Sequence, residues 1–263
     1  MRVHPLLIAC ALLLAGCGGP NILIPPTDDF GANASITWDR SPDAVVFRIE
    51  IVGGGREAEF AARDDIAPCT VYGDNRVVWT NELSAFNEQV LFDQVGDDAI
   101  RVFIETLTVV DQLFSYPARA DLQLPSSIVP VYEQITINVS GGSFQSDAFS
   151  GWPADYYERI LDRCRTISQT PVLFEPSAGW FSVVEVPYDL QTPAYPWETA
   201  AAGIRLSELA ASGERRWVTD PLSRVLWNLV RTSPPDVQLV EDNRAFQISF
   251  EVPRVTRYSP PPP

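Results

Sequence analysis

Apolar and polar residues alternate along Val46–Val52. Phe47, Ile49 and Ile51 share one face and Arg48 and Glu50 the other, which predicts a half-buried strand. Gly53-Gly54-Gly55 ends it, and Arg56–Phe60 is expected to return as a second strand. A clearer hairpin follows. Cys69–Tyr72 and Arg76–Trp79 flank Gly73-Asp74-Asn75, residue types that tolerate positive φ. The period then changes to that of a helix. Ile100, Phe103, Ile104, Leu107 and Phe114 keep helical spacing, and Gly96-Asp97-Asp98 supplies a cap and acids at the positive end. Val102, Val109 and Leu113 widen the apolar stripe, so this helix is expected to be largely buried.

Leu124-Pro125-Ser126-Ser127 reads as a boundary. Beyond it, Ile135–Gly142 echoes the first strand: Ile49, Ile51, Gly53 and Gly54 map onto Ile137, Val139, Gly141 and Gly142 at a constant offset of 88. The turn Asp74-Asn75-Arg76 recurs as Asp242-Asn243-Arg244, between expected strands at 237–240 and 246–252. Two such echoes suggest related modules, and chance similarity between glycine-ended hairpins accounts for them equally well. Gly151-Trp152-Pro153 opens an expected helix whose apolar face is Tyr157, Ile160, Leu161, Cys164 and Ile167. Another has Thr219-Asp220 as cap and Pro221 at its start, with Leu222, Val225, Leu226, Leu229 and Val230 on one face. Ser207–Ser212 reads as a short helix ended by Gly213.

Hairpins mixed with non-alternating helices predict an α+β fold. The expected organisation is two small modules of antiparallel β-hairpins with packed helices, 36–124 and 125–258. A proline-rich tail, 259–263, is expected to be extended and unpacked.

The first residues carry a different signal. Arg2 precedes a nine-residue apolar run, Leu6–Leu14, too short for a stable membrane span and followed by small residues. Leu14-Ala15-Gly16-Cys17 resembles the lipobox of bacterial lipoproteins. The resemblance covers residues 1–17 only. It implies removal of 1–16 as a signal peptide and lipidation of Cys17. The folded part would then be exported and held by lipid at the periplasmic face or the cell surface. Residues 17–35, rich in Gly, Pro, Asn and Asp, read as a flexible tether.

Composition sharpens this picture by exclusion. The chain has no lysine, so all 19 basic residues are arginine, and its only histidine is His4. With His4 removed, there is no imidazole for a Ser-His-Asp or Cys-His dyad, or for zinc, copper or haem. Without lysine there is no Schiff base and no Walker-type nucleotide site. The net charge of -15, with no basic run, argues against nucleic acid as a partner. No cofactor and no metal site are expected.

Three candidate features remain. Beyond the cytoplasmic membrane Cys69 and Cys164 can form a disulfide, and the alternative is two small buried hydrophobes. The stretch 173–197 is dense in prolines and aromatics. Trp180, Tyr188, Tyr195 and Trp197 could together stack on a glycan or grip a peptide, or else cover a small core. Acid pairs at Asp28-Asp29, Asp64-Asp65 and Asp97-Asp98, with Glu57 and Glu59, could serve glycoside cleavage if two acids converge in a cleft, or bind calcium, though no EF-hand pattern is present. The Tyr72–Trp79 hairpin also resembles segments of uncharacterised exported proteins of high-GC bacteria, a likeness that implies no activity. The expectation is therefore a lipid-anchored, non-enzymatic binding or scaffolding protein with an envelope protein or glycan as partner. The alternative is a carboxylate-dependent hydrolase acting on cell-wall or extracellular polysaccharide.

Overall fold

The first alternating segment forms β1 (Val45–Gly53), in which Phe47 and Ile49 are fully buried while Ile51, near the end, is 46% exposed. The structure is a computed structural model that describes residues 36–55, 60–123 and 130–263. The expected signal peptide, Cys17, the expected tether to residue 35, Asp28, Asp29, Glu57 and Glu59 lie outside the described residues, as does most of the expected return strand at 56–60. Phe60–Ala62 is a single 3₁₀ turn.

β2 (Cys69–Tyr72) and β3 (Arg76–Ser84) make the expected hairpin, with Asn75 at φ 71° in its turn. β4 (Asn87–Gln94) continues the meander, and β5 (Val131–Val139), β6 (Gly142–Asp147) and β7 (Val172–Leu173) complete a seven-stranded sheet in the order β6-β5-β1-β2-β3-β4-β7. β1 therefore lies between β2 and β5, with Phe47 opposite Ile137 and Ile49 opposite Ile135. These pairs cross the boundary drawn at 124/125. Residues 36–263 form one unit, which corrects the division into two modules.

α1 (Asp97–Glu105), a short turn α2 (Ala120–Gln123) and α3 (Tyr156–Arg165) belong to this first half of the fold. α1 and α3 share a core with one face of the sheet: Phe47, Val71, Val77, Ile135 and Ile137 meet Phe103, Leu107, Ile160 and Leu161. Phe47 and Phe103 meet edge to face at 4.9 Å. Under this core Cys69 and Cys164 are joined by a disulfide that ties β2 to α3.

The expected burial of the first helix is corrected at three positions. α1 stops at Glu105 and a π-turn follows at Thr106–Val110, so the 3.6-residue phase is broken. Val109 is 73%, Val102 60% and Phe114 42% exposed. Leu113 is buried, but on a separate 3₁₀ turn. Likewise α3 begins at Tyr156 rather than at Pro153, because Asp155 takes a left-handed φ of 58° immediately before it.

β8 (Ala178–Val186), β9 (Ala194–Pro196), β10 (Arg216–Thr219), β11 (Gln238–Glu241) and β12 (Arg244–Glu251) form a second sheet, β10-β8-β12-β11-β9. All its pairings are antiparallel except β9 with β11. α4 (Thr199–Ala202), α5 (Leu206–Ser212) and α6 (Leu222–Thr232) are interleaved with these strands. The second core joins Phe181, Phe246 and Phe250 of this sheet to Leu206 of α5 and to Leu226 and Trp227 of α6. It also takes in Tyr72, Val78 and Val90 from the far face of the first sheet. The fold is α+β, as the sequence predicts.

One buried carboxylate links a strand to a helix. α5 has no side-chain cap of its own. Glu241 of β11 accepts hydrogen bonds from the N–H groups of Leu206 (3.1 Å) and Ser207 (2.9 Å) and from Thr199 Oγ1 (2.6 Å). It thus does the work of an N-cap from another element. Burial pushes the Glu241 carboxyl up, but these bonds outweigh it and hold it at about 2. Its contribution is therefore present above its ordinary value of 4.5 and is lost as pH falls toward about 2. Glu241→Gln is expected to cost about 2 kcal/mol at neutral pH. Urea melts should show the difference from the parent shrinking as pH falls through that window.

Candidate functional site

The four aromatic candidates do not form one surface. Trp197 stacks on Phe181 with ring centroids 5.9 Å apart, and its Nε1–H donates to the Ile204 carbonyl at 2.8 Å. It is partly buried and packs against the second core. Tyr188 and Tyr195 are 55% and 46% exposed. Trp180 is half-buried on β8, and β12 and β11 separate its strand from the β9 strand of Tyr195. Trp180 instead faces Trp217 of β10 across the sheet register, with ring centroids 5.1 Å apart. The expectation of an unpacked tail is corrected, because Trp180 Nε1–H donates to the Pro261 carbonyl at 3.0 Å.

A cleft of about 530 Å³ opens elsewhere. One wall is the β3–β4 hairpin, with Glu82, Phe86 and Glu88. Another is α3, with Tyr157, Glu158 and Arg165. The end of α6 with Pro234 and Pro235 faces them, and the segment Asp64–Pro68 also lines it. The disulfide on Cys164 fixes α3 directly against β2, and Arg165 Nη2 donates to the Thr80 carbonyl at 2.8 Å. The wall bearing Tyr157 and Arg165 is thus held covalently and by hydrogen bonding.

Arg231 sits at the centre, its side chain only 9% exposed. Its Nη1 meets Glu88 Oε2 at 2.6 Å, and its Nη2 meets Asp64 Oδ1 at 3.5 Å and the Asp64 carbonyl at 2.5 Å. Asp64 Oδ2 also accepts the Phe250 N–H at 3.2 Å. Burial pushes the Asp64 carboxyl up to about 6, against the pull of Arg231 and of the Phe250 N–H. As pH rises from the ordinary carboxyl value toward that point, the unfolded chain releases this proton before the folded one, and stability falls. Asp64→Asn is accordingly expected to gain on the parent as pH rises. The relative change between pH 4 and pH 7.5 should be about 2–3 kcal/mol in urea midpoints.

Carboxylates outnumber cations in the cleft. Asp64, Asp65, Glu82, Glu88 and Glu158 line it with Arg165 and Arg231. Glu82 and Glu158 are exposed and make no ion pair among the described residues. Glu133 nearby is pushed up by burial and by Glu158. Tyr157 is also pushed up, by burial first and then by Glu133 and Glu158, and its buried hydroxyl has no hydrogen-bond partner among the described residues. The lining therefore suits a positively charged or hydrogen-bonding group entering from solvent. Among the described residues, no three of His, Cys, Asp or Glu converge as a metal-binding group, and no helix is long and apolar enough to cross a membrane.

The sequence flags Asp64-Asp65 as an acid pair but not the partners that give Asp64 its setting. Glu88 and Arg231 lie 143 positions apart, and no local pattern links them. Tyr157 reads as one of several apolar-face residues of its helix, and Trp217 carries no signal of its own. Asp97-Asp98 serves the start of α1, where Arg40 pairs with Asp97. No family model matches the chain, and no curated protein or solved structure resembles it at a significant level.

Proposed function

We propose that this chain is a lipid-anchored envelope protein whose folded unit is a non-enzymatic binding module for a cationic segment, such as an arginine- or lysine-bearing stretch of an envelope protein. The observation that carries this reading is the acid-lined cleft. Its two guanidinium groups are already engaged, Arg231 by Asp64 and Glu88 and Arg165 by the Thr80 carbonyl, while Glu82 and Glu158 face solvent. A lysine-free chain offers no ammonium of its own to fill it. The lipobox at Leu14–Cys17 supports the anchor, and the disulfide is compatible with export. Intact-mass measurement on the membrane fraction tests the anchor: it should give a chain starting at Cys17 with added acyl mass. For the cleft, a hexa-arginine peptide titrated at about 150 mM salt should bind several-fold more weakly to the Glu82→Gln/Glu158→Gln variant. Neutralising Glu105 and Asp121, outside the cleft, should leave binding unchanged. Equal weakening by both pairs would reduce the effect to net charge.

A second reading is a carboxylate-dependent polysaccharide hydrolase. It is favoured by the raised Asp64 carboxyl and by Glu88 on the same guanidinium. Binding is preferred because both acids are already spent on Arg231. Release of reducing ends from wall polysaccharide, abolished in Asp64→Asn, would establish the hydrolase instead.

A further inference from the structure

The Trp180–Trp217 pair lies on a different surface from the cleft. β10 is an edge strand, and Trp217 stands directly opposite Trp180 on β8. Both indoles are only half-buried and meet edge to face at 5.1 Å. Their strands turn Phe181 and Val218 into the second core, so the two indoles stand on the opposite face. The segment Ser259–Pro263 reaches Trp180, whose indole N–H donates to the Pro261 carbonyl at 3.0 Å.

The chemistry of that segment explains the match. Four successive prolines have fixed φ and no N–H, so the stretch holds an extended polyproline II shape with little entropy left to lose. Its carbonyls need outside donors. A pair of aromatic faces with one indole N–H is the surface that recognises such a stretch. The segment is also delivered to the spot. Just before it, the Arg257 N–H donates to the Asp65 carbonyl at 2.8 Å, and Arg257 Nη1 donates to the Ile51 carbonyl at 2.9 Å. Tethering of this kind gives a weak contact a high effective concentration.

We propose that Trp180 and Trp217 form an acceptor for proline-rich segments, that residues 259–263 occupy it in cis, and that a proline-rich segment of a partner protein takes their place. Deleting residues 260–263 should move the Trp180 indole N–H resonance, assigned through Trp180→Phe. An acetylated Ser-Pro-Pro-Pro-Pro peptide should then shift that resonance saturably in the deleted chain. Binding to the intact chain should be about tenfold weaker or more, because the tethered segment competes. Trp217→Ala in the deleted chain should abolish binding; Trp217→Phe, which keeps a ring to fill the space, should weaken it if the alanine variant fails to fold. The proposal is overturned if deletion leaves the indole resonance in place, if a Ser-Gly-Gly-Gly-Gly peptide binds equally, or if intact and deleted chains bind alike. A dimer that becomes a monomer on deletion would place the segment on a second copy and overturn the cis arrangement.

Discussion

Replacing Cys69 and Cys164 together with alanine is expected to lower the free energy of unfolding by about 4–5 kcal/mol. The bond spans 95 residues, and the loop-closure entropy it removes from the unfolded chain is of that size. Both cysteines are fully buried between α3 and β2, so reductant should reach the bond only when that region opens. In the native protein, reduction by dithiothreitol should be slowed by the need for that opening, and sub-denaturing urea should accelerate it. Urea melts of the oxidised chain and the double-alanine variant give the equilibrium term. A thiol-trapping time course gives the kinetic one. A difference below about 1 kcal/mol would mean that the unfolded chain gains little from losing the bond.

The second large effect is expected at Arg231. Arg231→Met keeps most of the apolar stem lying against Trp227, where the guanidinium now sits 5.1 Å from the ring centroid. It removes the charge shared by Asp64 and Glu88. Stripping one partner from a buried ion pair costs about 3–5 kcal/mol, because the carboxylates keep the cost of desolvation without compensation. The sign of its pH dependence follows from Asp64. Losing Arg231 removes an influence that holds that carboxyl down, so protonation of Asp64 relieves part of the damage. The variant should be most destabilised above about pH 6 and least near pH 4. Adding Asp64→Asn to Arg231→Met should recover part of the loss at pH 7.5. Urea midpoints of the single and double variants measure the coupling.

How much of this was legible in the sequence depends on whether the information is local. The β2–β3 hairpin, the β11–β12 turn and the Gly213 end of α5 are written in short runs. Residue type fixes the backbone there: Asn75, Asp242 and Asn243 all adopt positive φ, and so does Gly213. Alternation in β1 correctly put Phe47 and Ile49 inside but could not name the neighbour. The pattern at Ile135 and Ile137 points to a separate module, yet they lie beside those same residues in one sheet. Val102 and Val109 show the limit of periodicity: Val102 lies at the margin of the stripe within α1 and faces solvent, and the π-turn that follows shifts the phase at Val109. The candidate sites divide in the same way. Cys69 and Cys164 needed only their rarity and a compartment. The cleft is lined by Asp64, Glu88, Tyr157 and Arg231, which the fold brings together from four separate segments. The density of aromatics at 173–197 marked Trp180, but Trp197 turned out to cover the core, and Trp180's ring partner lies outside that stretch.

The placement of β1 between β2 and β5 bears on the order in which the chain can be assembled. A growing polypeptide can close the β2–β3 hairpin and lay β1 beside it early. The other edge of β1 stays bare until residues near Ile137 arrive. A bare edge strand that carries Phe47 and Ile49 is a template for unwanted pairing with other chains. Productive folding therefore depends on keeping the early intermediate dispersed until β5 seals it, and refolding yield should fall steeply with protein concentration.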